Sequence, residues 1–186
     1  MFLNKGYKEI SINNIIGECG ISKGAFYHHF KSKEELYQEV LNRFFFNYFQ
    51  DADFIYTPEI SFKEKLQHFV NSFLSPYDEL LKMTSRNDLI LYFRFLFQAA
   101  ASNETIKYKV NKHFYKKAYY LAQILQDEKK NFTTDLSIKP IARQLLAIIL
   151  GITILDGIND ATDIKANLKE SIGVYLQMLI ETNEKN

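Results

Sequence analysis

The chain has 186 residues, with 23 Lys and Arg against 22 Asp and Glu, and its formal charge of +1 excludes a protein that holds nucleic acid by bulk charge alone. A single cysteine excludes an internal disulfide and a zinc site built from several thiolates. The length suits one or two small domains with a proper core, and 16 Phe with 12 Tyr are enough to line an apolar pocket.

Residues 11–36 carry the densest local signals. Ser11 is a good N-cap, and Ile12, Ile15, Ile16 and Cys19 follow at i, i+3, i+4 and i+7, one face of a helix. Cys19 is read as a small buried core residue. Gly20 stands just past the last periodic position, where a left-handed cap wants no Cβ. Ser22 then caps a second short helix, whose first turn is Lys23-Gly24-Ala25 and whose apolar stripe is Phe26 and Phe30. Two short helices joined by a glycine turn match a helix-turn-helix. After Lys31, Ser32 and Glu35 form a capping box for a third helix, with Glu34 and Glu35 near its positive end. Its stripe runs through Leu36, Tyr37, Val40, Leu41, Phe44 and Tyr48. Residues 1–33 hold five lysines and two glutamates, a local charge of +3 suited to phosphate attraction.

The remainder reads as helix, giving an all-α fold. Asp51 to Pro58 is a break. A helix from about Ser61 carries Leu66, Phe69, Val70 and Phe73, and Pro76 with Asp78 mark a turn or kink. Asp88 to Ala101 is apolar enough to be buried on most sides. Asn103 starts a helix to about Lys130, on which Lys107, Lys109, Lys112, Lys116 and Lys117 are read as a solvated basic face. A polar loop over 133–137 leads to two final helices, about Ile138 to Gly157 and Asp163 to Glu181. The longest apolar run, Leu145 to Leu155, is 11 residues, about half the ~20 that a membrane span needs.

The last two helices present Leu145, Ile148, Ile149 and Ile152, then Leu168, Ile172, Tyr175 and Leu179. The pattern fits equally the protomer's own core or a four-helix bundle with a second copy. Candidate pocket residues are Phe69, Phe73, Tyr92, Phe93, Phe97, Phe114 and Tyr119, with Gln98 or His113 as polar anchors. His68 stands alone. His28 and His29 point about 100° apart on a helix and do not suit one metal. No glycine-rich phosphate loop, nucleophile elbow or metal-spaced set appears, which leaves little room for catalysis and implies no cofactor.

The run KGYKEISINNIIGECGISKGAFYHHFKSKEEL resembles the DNA-binding signature of TetR-family (tetracycline-repressor-like) transcriptional regulators, with Gly6-Tyr7, Gly20, Ser22-Lys23-Gly24, Tyr27, His29-Phe30 and Lys33 in register. The resemblance implies a helix-turn-helix head over 1–45 and a helical ligand-binding and dimerisation domain over 46–186. It implies a cytoplasmic, ligand-responsive repressor that binds a pseudo-palindromic operator in double-stranded DNA as a homodimer and is released by a small apolar or aromatic effector. Carried over by position, Lys23 would reach a base edge or phosphate, while Gly24 and Ala25 would allow close backbone approach. Tyr27 and His28 would touch phosphate or thymine methyls, His29 and Lys33 would bond phosphates, and Ser11 and Ser22 would add hydroxyl contacts. The family has a full helix before its Gly-Tyr corner; here Phe2 and Leu3 read as the last turn of one, so the first helix looks truncated. The alternative reading is a helical ligand- or protein-binding module that no longer binds DNA.

Overall fold

The computed structural model describes residues 1–43, 57–84, 89–132, 137–159 and 163–180, except the side chains of Leu3 and of residues 80–84. Among these, nine α-helices follow in chain order: α1 (Phe2–Glu9), α2 (Ile12–Cys19), α3 (Lys23–His29), α4 (Lys33–Leu41), α5 (Phe62–Thr84), α6 (Leu89–Ser102), α7 (Glu104–Gln126), α8 (Ile138–Ile158) and α9 (Ile164–Ile180). One 3-10 turn, Lys129–Asn131, follows α7. The expected continuation of the third helix through Phe44 and Tyr48, most of the break after Asp51, and most of the polar loop at 133–137 lie outside the described residues.

Helices α5, α7, α8 and α9 bury one apolar cluster, built on Phe69, Leu121, Leu125, Ile141, Leu145 and Leu168. A second cluster joins α1–α4 to α6 and the start of α7, through Phe2, Ile10, Phe26, Tyr37, Phe95 and Ile106. The N-terminal helices therefore share a core with the body instead of forming an island. At its centre the Tyr37 ring meets Phe2, Tyr7 and Phe95, with centroids 5.1, 4.7 and 5.1 Å away. Its hydroxyl is buried without a hydrogen-bond partner among the described residues, and burial pushes its pKa up to about 12. A buried unpaired hydroxyl costs free energy, so Tyr37→Phe should raise stability by ~1 kcal/mol in urea denaturation.

Of the turn or kink expected at Pro76, the turn is corrected. Pro76 lies inside α5, which runs on through Asp78 to Thr84. Proline lacks one N–H and normally breaks a helix; here Phe73, Leu74, Pro76 and Tyr77 are all buried, and their packing holds the turn. The five-lysine face is a second correction. Lys107, Lys112 and Lys116 are exposed and Lys109 is half-buried, but Lys117 is only 3% exposed, its ammonium 4.2 Å from the centre of the Phe73 ring. Lys117 follows His113 by four residues and Val110 by seven, which puts it on the inner stripe of α7. Helix α8 is apolar over more than the 11 residues first counted. It is long and apolar enough by composition to cross a membrane, with a mean hydropathy of 1.8, yet Ile141, Ala142, Leu145 and Ile149 on its inner face are fully buried in the body core.

Candidate nucleic-acid interface

The first four helices are fixed by short-range capping. The Ser11 hydroxyl accepts the Asn14 N–H at 3.1 Å, and the Asn14 side-chain oxygen accepts the Ser11 N–H at 2.9 Å, a reciprocal cap for α2. Gly20 closes α2 in the left-handed region, φ 64°, its N–H donating to the Ile16 carbonyl. Two residues later the Ser22 hydroxyl accepts the Ala25 N–H at 3.0 Å and starts α3. At α4, Ser32 caps Glu35 N–H at 3.1 Å, but the Glu35 carboxylate reaches back to the Lys31 N–H at 2.6 Å, one residue beyond the expected box.

These caps leave α3 lying across the head with one side in and one side out. Phe26 is buried and Phe30 half-buried, their rings 5.9 Å apart. Lys23, Gly24, Ala25, Tyr27, His28 and His29 are exposed, as are Ser11 and Ser22. By helical spacing, Gly24, Ala25 and His28 lie opposite the two phenylalanines. A Cβ built on Gly24 would meet only the Ser22 hydroxyl, at an ordinary 3.8 Å. Nothing in the fold itself demands glycine there, and in a helix it costs ~1 kcal/mol relative to alanine. The His28 and His29 rings sit edge to face, 5.1 Å apart. Among the described residues no three His, Cys, Asp or Glu side chains are grouped to hold a metal.

Two residues depart from their expected places. The Lys33 ammonium donates to the Tyr7 and Ile10 carbonyls, both at 2.8 Å, and sits 4.1 Å from the centre of the Tyr7 ring. It is a strut between α4 and the C-terminal end of α1, with two of its three donors already used. Cys19 is exposed, because α2 ends there and only Ile15 of its stripe is fully buried.

Residues far apart in sequence lock the head to the body, and no local pattern announces them. Arg94 of α6 donates to the Asn4 carbonyl at 2.9 Å. Asn103, whose carbonyl oxygen caps α7 at Thr105 and Ile106, donates through its amide to Glu34 of α4. Gly6 has φ 78°, and a Cβ there would come within 3.0 Å of the Gln98 oxygen. Gln98 therefore stands at the head–body junction and not in a pocket.

The geometry is that of a helix-turn-helix with an outward second helix, and comparison with known proteins agrees. Residues 1–40 match the family model for bacterial regulatory proteins of the tetR family. This N-terminal segment is therefore similar to the DNA-binding head of that family. Similar stretches occur in the Transposon Tn10 TetC protein of Escherichia coli (53% identical over 36 residues, 19% of this chain and 18% of that protein) and in the HTH-type transcriptional repressor KstR2 of Mycolicibacterium smegmatis (46% over 44 residues, 24% and 22%). The matched stretch thus spans about a fifth of the length of these curated relatives. Over the whole chain, the fold is that of a TetR transcription regulator from Haloarcula marismortui (TM-score 0.73, 17% identity, covering 97% of this chain and 92% of that one). A TetR/AcrR-family structure gives a TM-score of 0.68 at 19% identity, covering 97% and 92%.

Behind the TetR-type head, the expected pocket residues separate. Phe73, Tyr92, Phe93, His113 and Phe114 line one cavity with Lys117, whereas Phe69 is sealed in the body core at 0% exposure. Phe97 is exposed and stacks on Phe93, centroids 5.9 Å apart. Tyr119 lies outside this cavity, in a groove between α7 and α8. Burial, then the nearby Lys117 and Lys116 charges, push His113 down to about 3, so its ring is neutral. The α8–α9 residues also divide. Leu145, Ile149 and Leu168 have 0% exposure and Ile172 and Leu179 are buried, so these five pack inside the protomer. Ile148, Ile152 and Tyr175 are half-buried, and the apolar surface facing out is Leu155, Ile158, Val174 and Met178.

Proposed function

We propose that this protein is a ligand-responsive transcriptional regulator of the TetR type, a cytoplasmic repressor that binds a pseudo-palindromic operator as a homodimer and lets go when a small, largely apolar effector binds the body. The observation that carries the reading is α3: its first turn is small, basic and open to solvent, while Phe26 anchors the helix from behind. A helix so placed can enter a major groove, Lys23 reaching a base edge or phosphate and Tyr27, His28 and His29 contacting the flanking backbone. The exposed α8–α9 stripe supports pairing with a second copy, because exposed apolar stripes of this kind mark contact surfaces. Two copies would place two heads on successive turns of the duplex. Release then needs only that the effector bind one head spacing better than the other.

Fluorescence anisotropy with duplexes from upstream of the protein's own gene, at two salt concentrations, tests this. Saturable binding with a steep salt dependence is expected. Lys23→Ala should weaken it about tenfold and reduce the salt slope by about 1 if Lys23 meets a phosphate, or relax selectivity at one base pair if it meets a base. Equal, weak binding to every duplex would support the non-DNA helical module instead.

A further inference from the structure

The aromatic cavity inside the body has a volume of only about 20 Å³, room for about one water. On the far side of its wall, α7 and α8 line a groove of about 690 Å³, within the size range of small-molecule sites. Tyr115 and Tyr119 of α7 line it, 76% and 49% exposed, and Lys139 and Arg143 of α8 form the facing side. The two cations are four residues apart on one helix face, where like charges repel. Among the described residues no carboxylate lines the groove and neither cation has an acidic partner. The fold thus keeps two exposed aromatic rings and two adjacent positive charges on one preformed concavity. One kind of occupant satisfies both features. A planar apolar body can lie against the tyrosines, and a carboxylate can take the guanidinium fork of Arg143 and the ammonium of Lys139.

We infer that the α7–α8 groove is the effector site and that its ligand is a small aromatic or similarly apolar carboxylic acid, an inference that rests on the regulator reading for its role in release. Phe114 links the site to the head. It lines both the groove and the interior cavity, and it packs against both the body cluster and the cluster shared by the head and α6. A ligand pressing on Phe114 therefore acts on the packing that holds the head, and the acid group sets which ligands stay long enough to do so.

Calorimetric titration of the full chain with 2-naphthoate and with uncharged 2-naphthamide tests the site without DNA. Naphthoate should bind saturably and naphthamide at least ~10-fold more weakly, and a Lys139→Gln/Arg143→Gln double variant should erase the difference. Equal binding of the two probes, no binding of naphthoate up to millimolar concentration, or a preference that survives in the double variant would overturn the assignment. So would a preference lost in Lys117→Met but kept in the double variant, which would move the acid to the interior cavity. Sedimentation in which Tyr115→Ala and Tyr119→Ala dissociate a dimer would overturn it too, because the groove would then be covered by a second copy. Naphthoate selection in a chain that binds no DNA would defeat the regulator reading alone; operator binding without naphthoate selection would defeat the groove alone.

Discussion

Phe26→Ala should destabilise the protein by ~3–5 kcal/mol, the usual cost of deleting a large aromatic from a close-packed core. Phe26 is 2% exposed and touches Tyr27 and Phe30, with ring centroids 5.3 and 5.9 Å away. The cavity would open under α3, which is only seven residues long and has little stability of its own. The second core cluster is continuous from α1–α4 into α6 and α7, so the loss would spread from the head into the body. Hydrogen exchange should show α2–α4 losing protection first, and urea denaturation should report the total. Retained protection in α2–α4 would show that α3 is not held from behind by this ring.

Lys117→Met should act in the opposite direction and raise stability at neutral pH by ~2–5 kcal/mol. Lys117 is 3% exposed among Phe73, Phe114 and Leu150, and burial pushes its pKa down to about 7 from the ordinary lysine value of 10.5. Below about 7 both the folded and the unfolded chain carry the proton, so the folded state holds a charge that burial disfavours. Between about 7 and 10.5 the unfolded chain binds the proton and the folded one does not, so the wild type should gain stability as pH rises through that window. The methionine variant should lose this dependence while filling nearly the same volume. His113 beside it is neutral in the fold but protonated below about 6.5 in the unfolded chain, so it adds a dependence of the same sign at the acid end, and the Lys117 window is read between pH 7 and 9. Urea midpoints at pH 6, 7, 8 and 9 check both the sign and the window. A variant less stable than wild type at pH 6 would show that the ammonium is well solvated or paired in the fold.

The head was legible from sequence because its signals are local. Ser11, Ser22 and Ser32 cap within three residues of themselves, Gly20 closes α2 within four, and Phe26 and Phe30 share a face by spacing alone. What joins the head to the body was not legible: Arg94 to Asn4 spans 90 residues and Asn103 to Glu34 spans 69. Lys33 belongs to the same class, since a lysine in a basic loop looks like a phosphate ligand until its carbonyl partners, 23 and 26 residues away, are known. Lys117 is legible in principle, because it continues the Val110–His113 stripe, but four neighbouring lysines mark the same helix as a basic face. Helices α8 and α9 are apolar on more than one side, and apolar density alone does not say which side the protomer buries. That is why Leu145 and Ile149 look like interface residues by pattern while Ile158, 60% exposed, stands outside that pattern.

The most direct measurement is Gly24→Leu, assayed twice in one preparation. Leucine is a better helix former than glycine, and the first atom it adds lies in ordinary contact at 3.8 Å from the Ser22 hydroxyl. Thermal unfolding should therefore be unchanged or shifted up. If the first turn of α3 lies against the duplex, affinity for the upstream DNA should fall by at least ~10-fold, because the added side chain occupies space the groove needs. A variant that melts like wild type and still binds that DNA with wild-type affinity would contradict the placement of α3 at the DNA.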